Sequence, residues 1–201
     1  MSPPRILIVY GTSYGQTARI AGRIRQLLVE RGLDVTLLAG DRLPAGLRPA
    51  QFDGVLVGAS LIMQGYQKYV AAFVRRHAAA LNAMPSAFFA VSGSAGSDNP
   101  LERAAAQRLL EKFCHGAGWQ PSMTASFAGT IAFTRYNFAL RWFMKRISRK
   151  ENQSTDTSRD HEYTDWTQVT RFAEQFAEAV QTSAERAGHA HGALAFSEST
   201  A

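Results

Sequence analysis

The sequence predicts an α/β fold, a parallel sheet covered by helices on both faces. Three observations carry this. Five short β-type apolar runs alternate with helical patterns along the chain, which calls for parallel strands joined by helical crossovers. The third run, Gly54–Ala59, is apolar almost without interruption, as expected of a strand covered on both sides. The first run breaks into Gly11-Thr12-Ser13-Tyr14-Gly15-Gln16-Thr17 just before a helical pattern begins. Such a turn points N–H groups and hydroxyls outward at a helix N-terminus, which is the geometry that holds a phosphate.

The elements follow in order. The first strand is Arg5–Tyr10. The first helix starts near Gly15, carries Ile20, Ile24, Leu27 and Leu28 at helical spacing and stops at Gly32. The second strand is Asp34–Leu38, followed by a loop holding Pro44, Gly46 and Pro49. After the third strand comes a helix over Tyr66–Leu81, a fourth strand Ala87–Val91, a helix over Pro100–Gly116 and a fifth strand within Met123–Gly129. Asp165 is placed to cap the last helix, with Gln168 completing a capping box. Trp166, Val169, Phe172, Ala173, Phe176, Ala177 and Val180 form that helix's apolar stripe. The stretch 188–201 is small and polar and is expected to be a disordered tail. This gives one domain over 1–187, with an insert at about 131–160 ahead of the last helix.

Composition agrees. Of 201 residues, 46% are hydrophobic and 19% charged, enough for one sizeable core and against global disorder. No apolar run reaches about 18 residues, so no membrane-spanning helix is expected. Met1-Ser2-Pro3-Pro4 leads straight into a strand, so no signal peptide is expected either. Cys114 is the only cysteine, which excludes an internal disulfide and fits a reducing, cytoplasmic compartment. Its place in a helical stretch reads as a buried, inert thiol. No metal-ligating pattern stands out; His189 and His191 read as solvated residues of the tail.

The turn at 11–17 is not a nucleotide P-loop, because it lacks the Gly-Lys-Ser/Thr ending. It is not a dinucleotide fingerprint, because G-x-G-x-x-G and a ribose-binding acid are absent. The third strand ends Gly58-Ala59-Ser60, without the acidic residue that a phospho-accepting receiver needs. The plainer alternative is an ordinary strand–helix turn in which Thr and Ser cap the helix. The hydroxyls of Thr12, Ser13, Tyr14 and Thr17, flanked by Gly11 and Gly15 with no cation among them, suit a flavin mononucleotide phosphate held by neutral donors. Two further loops lie beyond strand ends, where ligands of such folds sit. Ser60-Leu61-Ile62-Met63-Gln64-Gly65 is apolar at what should be a surface mouth. Ser92-Gly93-Ser94-Ala95-Gly96 consists of small residues that let a flat ring edge approach the backbone.

At this point the chain resembles flavodoxins. Gly11-Thr12-Ser13-Tyr14-Gly15-Gln16-Thr17 is similar to that family's phosphate loop. The resemblance narrows through Val57-Gly58-Ala59-Ser60, Phe73-Val74-Arg75-Arg76-His77-Ala78, Leu81-Asn82-Ala83-Met84-Pro85-Ser86-Ala87-Phe88-Phe89 and Tyr163-Thr164-Asp165-Trp166. Together these are similar to the bacterial quinone-dependent protoporphyrinogen IX dehydrogenases, over most of residues 5–180. The resemblance implies a flavodoxin-like three-layer sandwich with strand order 2-1-3-4-5. It implies FMN as cofactor, and oxidation of protoporphyrinogen IX to protoporphyrin IX with a respiratory quinone as acceptor, in haem biosynthesis. Phosphate contacts are then expected at Thr12, Ser13, Tyr14, Gly15, Gln16 and Thr17, and ring contacts in the 60–65 and 92–96 loops. No protein acid or base is expected to be essential, since the flavin carries the redox chemistry.

Charge is uneven. The net charge is +6 and the pI about 9.8, while 131–150 holds Arg135, Arg141, Lys145, Arg146, Arg149 and Lys150 with no acid. Read as a helix, Tyr136, Ala139, Leu140, Phe143, Met144 and Ile147 share one face and Arg141, Lys145 and Arg149 another, with Phe138 and Trp142 between the cations. Arg135, Phe138, Arg141, Trp142, Lys145 and Arg149 are therefore the expected contacts to substrate or membrane. The alternative is a solvated basic face over a packed stripe. A basic, aromatic face suits an anionic lipid surface or an acidic tetrapyrrole; the patch is too short to favour nucleic acid. The expected location is cytoplasmic, peripheral to the inner face of the cell membrane, with homo-oligomerisation left open. Two other functions compete. A carrier flavodoxin would be expected to be acidic, and an NAD(P)H:quinone reductase would be marked by rapid flavin reduction by NAD(P)H.

Overall fold

The structure is a computed structural model and describes residues 2–62, 65–131 and 161–198. Strands β1 (Arg5–Gly11), β2 (Asp34–Ala39), β3 (Gly54–Ser60), β4 (Ser86–Ser92) and β5 (Met123–Ala128) form one sheet. All neighbours are parallel and the order is β2-β1-β3-β4-β5, as predicted. The helices are α1 (Gln16–Glu30), α2 (Lys68–Asn82), α3 (Pro100–Gly116) and α4 (Trp166–Glu198).

Alternation along each strand feeds two cores, which is why the strands read as unbroken apolar runs. Ile6, Ile8, Leu56, Phe89 and Phe127 meet Ile20, Ile24 and Leu28 of α1 and Val169, Phe172, Phe176 and Val180 of α4. Leu7, Val9, Val55, Val57 and Phe88 meet Val70, Phe73 and Val74 of α2 and Leu110 and Cys114 of α3. The predicted stripes of the first and last helices are therefore the buried ones. At the end of α1, Leu33 N–H bonds back to Leu28 O at 3.1 Å and Gly32 N–H to Val29 O at 2.9 Å, a closure that satisfies the last carbonyls.

Several boundaries differ from the sequence reading. The first four strands run one residue further at their C-terminal ends. Ala39 pairs with Tyr10, and Gly11, Ser60 and Ser92 pair with Ala59, Val91 and Ala128 across the sheet. The second helix starts at Lys68 rather than Tyr66. Tyr66 is spent on packing, its ring 5.4 Å from Phe88 and 4.8 Å from Phe113. The tail expected to be disordered from 188 continues instead as α4 to Glu198; the segment has no proline, and Ala190, Ala193, Leu194 and Ala195 favour extending an established helix against a cost of about 1 kcal/mol each at Gly188 and Gly192.

Asp165 does cap α4: its Oδ1 accepts from Thr167 N–H at 2.9 Å and Gln168 N–H at 3.2 Å. Cys114 is buried, and burial, with the charge of Glu111 adding, pushes its thiol up to about 12. His115 is exposed and His77 half-buried against Phe73. Burial first, and Arg76 second, lowers the His77 pKa.

One buried polar relay has no signature in the sequence. Trp119 Nε1 donates to Ser86 Oγ at 2.9 Å, and Ser86 Oγ donates to Leu81 O at 2.8 Å. Trp119 is 1% exposed. Ser86→Ala leaves that indole N–H without its acceptor, so a loss of about 1–3 kcal/mol is expected in denaturant unfolding. An unchanged unfolding midpoint contradicts the relay.

Candidate functional site

Register brings three C-terminal strand ends together: Gly11 of β1 lies beside Ala59 of β3, and Ser60 of β3 beside Val91 of β4. The crevice lies where connections leave β1 and β3 in opposite directions, the place where open α/β sheets bind ligands. The turn 11–17, the 60–65 loop and the 92–96 loop all border it.

The turn is built by its own residues. Gly15 takes φ 96°, a left-handed conformation open to glycine. Its N–H donates to Thr12 Oγ1 at 2.9 Å. α1 then begins at Gln16 with no side-chain cap, so the N–H groups of Gln16, Thr17 and Ala18 have no acceptor within the helix. Thr17 is 1% exposed, and its Oγ1 is buried without a hydrogen-bond partner among the described residues. Gly11 is held against α2: a Cβ there would stand 2.6 Å from Val70 Cγ2 and 2.8 Å from Gln67 Oε1. No charged side chain belongs to residues 11–18.

Gln67, at the N-terminal boundary of α2, is the residue the sequence reading misses. Its Nε2 donates to Ser13 Oγ at 3.1 Å and Ser60 Oγ at 2.5 Å, while its Oε1 accepts from Ser60 N–H at 3.2 Å. It thereby ties the turn to the end of β3. Tyr69 also borders the turn; burial raises its phenol pKa, against a hydrogen bond with the Thr12 backbone.

Gln16 departs from expectation. Its Nε2 donates to Glu162 Oε1 at 2.9 Å and to Thr164 Oγ1 at 2.8 Å, and its Oε1 accepts from Arg19 at 3.2 Å. Arg19 pairs with Glu162 at 2.8 Å, and Thr164 Oγ1 donates to Ala128 O at 2.8 Å. The side chain is committed elsewhere, which leaves only the backbone N–H for an anion. Glu162 and Thr164 lie at the antiparallel neck formed by β6 (Thr130–Ile131) and β7 (His161–Glu162). The predicted contacts Arg135, Phe138, Arg141, Trp142, Lys145 and Arg149 lie between those strands and outside the described residues.

Within the 60–65 loop Ile62 and Gly65 pair with each other: Ile62 N–H bonds to Gly65 O at 3.0 Å and Gly65 N–H to Ile62 O at 2.9 Å. Leu61 and Ile62 are half-buried, which keeps apolar surface at the mouth; Met63 and Gln64 lie outside the described residues. In the 92–96 loop, Ser92 Oγ accepts from Ala95 N–H at 3.1 Å and residues Ser94–Gly96 form a short 3-10 turn. Gly93, Ser94, Ala95 and Gly96 present no bulky side chain there. Among the described residues no group of three or more His, Cys, Asp or Glu side chains is placed to hold a metal.

Comparison with known proteins agrees with this geometry. The flavodoxin domain family matches residues 7–158, and a flavodoxin domain implies a flavin-binding site. The chain is 33% identical over 174 residues to the protoporphyrinogen IX dehydrogenase [quinone] of Escherichia coli strain K12, covering 86% of this chain and 94% of that protein. It is equally 33% identical over 178 residues to the protein of the same name from Leishmania major, covering 87% of this chain and 75% of that one. Among solved structures, a cysteine-to-serine variant of a flavodoxin from Pseudomonas aeruginosa superposes with a TM-score of 0.54 at 14% identity, covering 88% of this chain and 99% of that one. That likeness concerns the fold. The chain belongs to the flavodoxin domain family and, within it, to the family of the quinone-dependent protoporphyrinogen IX dehydrogenases.

Proposed function

We propose that this chain is an FMN-dependent oxidoreductase that converts protoporphyrinogen IX to protoporphyrin IX and passes the electrons to a respiratory quinone. The observation that carries the reading is its extended identity with dehydrogenases of that name, over most of both chains. The turn at 11–17 fits the cofactor. A buried Thr17 hydroxyl without a partner among the described residues and N–H groups with no acceptor inside α1 suit a phosphate monoester, and neutral donors with a helix dipole can hold its charge. Thr12, Ser13, Tyr14, Gly15 and Thr17, with the Gln16 N–H, would hold the phosphate. Leu61, Ile62 and the backbone of Ser92–Gly96 would flank the ring, with Met63 and Gln64 expected beside them.

A bound flavin supplies a two-electron acceptor that can be reoxidised by quinone. The chain's own residues bind, orient and exclude water. Gln67 fixes Ser13 relative to Ser60, so the phosphate and ring sides of the site keep one spacing. Anaerobic mixing of FMN-loaded protein with protoporphyrinogen IX tests the reading. Flavin bleaching is expected on mixing, and porphyrin fluorescence, which needs three successive two-electron oxidations, is expected to grow once a quinone is added to reoxidise the flavin; a flavin that stays oxidised defeats the substrate assignment.

Among the described residues no helix is long and apolar enough to cross a membrane. We propose that the basic, aromatic segment 131–150 makes a peripheral contact with anionic lipid, where quinone resides. Arg141→Glu/Lys145→Glu/Arg149→Glu is expected to release the protein from anionic vesicles in a co-sedimentation assay. Each cation near such a surface contributes about 1 kcal/mol, and salt should mimic the change. Equal, salt-insensitive binding of both proteins refutes the contact.

A further inference from the structure

A second concavity lies outside the crevice. Among the described residues it is an open groove of about 630 Å³ along the outer edge of β5, between α3 and α4. Arg103 reaches it from α3 and Arg171 from α4, with Gln107, Gln168 and Gln175 beside them and no acidic side chain among the described residues that line it. Both arginines sit in the first two turns of their helices, so the positive ends of two helix dipoles flank the same space. Ser126 forms part of the floor, and its hydroxyl is buried without a hydrogen-bond partner among the described residues. Arg103 is aimed by a 2.6 Å hydrogen bond from its Nη1 to Ser97 O, which leaves its other N–H groups for a ligand. Arg171 has no ion-pair partner among the described residues. A fixed arginine, a free arginine, carboxamides and an unspent hydroxyl form a donor-rich surface for carboxylates.

The groove also touches the crevice. Ala95 of the 92–96 loop lines it, and Arg103 holds the carbonyl of Ser97 just beyond that loop. A ligand anchored in the groove thus lies against the loop expected to border the flavin ring.

We propose that this groove is the anchoring subsite for the carboxylate side chains of the tetrapyrrole, and that Arg171 is its main charge contact. The inference rests on the substrate reading given above. It accounts for how an otherwise apolar macrocycle is held in one orientation, since bidentate arginine–carboxylate pairing fixes direction as well as affinity.

The test is equilibrium binding of protoporphyrin IX and of its dimethyl ester, each in non-ionic detergent, to the FMN-loaded wild type, Arg171→Glu and Arg171→Lys. Arg171 is exposed, so the variants should fold, and FMN uptake should match the wild type. The wild type is expected to prefer the free acid about tenfold or more. Arg171→Glu should abolish that preference and weaken acid binding about tenfold; Arg171→Lys should restore part of both. Equal affinity of the wild type for acid and ester, or unchanged acid binding by Arg171→Glu, overturns the subsite. Turnover of protoporphyrinogen IX separates the two claims: a wild type that turns over, with an unchanged KM in Arg171→Glu, sinks the subsite and spares the function. A wild type that takes up FMN but neither turns over nor binds porphyrin sinks both.

Discussion

Thr17→Val is expected to stabilise the cofactor-free protein and to weaken its hold on FMN, two effects of opposite sign from one hydroxyl. The Thr17 side chain is buried and its Oγ1 has no partner among the described residues. Without ligand, that oxygen has lost water and gained nothing, a penalty of about 1–3 kcal/mol. Valine keeps the shape and removes the polar atom, so the apo protein should gain on the order of 1 kcal/mol, read as a higher melting temperature. With FMN bound, the hydroxyl has a charged acceptor. Losing a hydrogen bond to a charged group costs about 1.5–3 kcal/mol, or roughly 10- to 100-fold in Kd, measurable by quenching of flavin fluorescence. A general packing defect would lower both quantities, and a threonine unrelated to the phosphate would leave Kd where it was. Only a phosphate contact moves them apart.

The legibility of this site from the sequence divides by the distance over which each signal acts. The turn at 11–17 is readable because glycines, hydroxyls and the onset of a helix lie within a few residues of one another. The strand order follows from local alternation together with the family resemblance. The strand ends read one residue short because Gly11, Ser60 and Ser92 have the local character of turn residues. Only pairing with Ala59, Val91 and Ala128, far along the chain, makes them strand. Gln67 carries no signal at all. A glutamine before a helix is ordinary, and its partner Ser13 lies 54 residues away. Periodicity places Tyr66 in a helix, whereas its ring is committed to Phe88 and Phe113 in the core beneath. Burial drives the Tyr66 pKa well above the ordinary phenol value, with the nearby Cys114 adding, which keeps it neutral. The Arg103–Arg171 groove is equally hidden, since its two walls belong to helices separated by the whole of β5 and the insert.

Gln16→Leu separates the two roles a polar residue at the head of α1 can have. Read from the turn alone, Gln16 is a phosphate contact. In the structure its carboxamide joins Glu162, Thr164 and Arg19, so it fastens the neck of the insert to the start of α1. Leucine removes those three hydrogen bonds and leaves a half-buried threonine and a carboxylate facing an apolar side chain. Part of the loss is recovered by solvent and by the remaining Arg19–Glu162 pair, whose arginine is 60% exposed. A net cost of about 2–3 kcal/mol is expected. The damage should be local: the Tyr163 amide, bonded to Gly129 O at 3.2 Å, should exchange with solvent about tenfold faster or more. FMN affinity should move by less than about threefold, because the Gln16 N–H is untouched and one tenfold step is worth about 1.4 kcal/mol. Binding to anionic vesicles through 131–150 should weaken while flavin loading holds, since the insert is what loses its anchor. If the carboxamide instead served the phosphate, the pattern would invert: FMN would bind about tenfold or more weakly, and exchange at Tyr163 would not change.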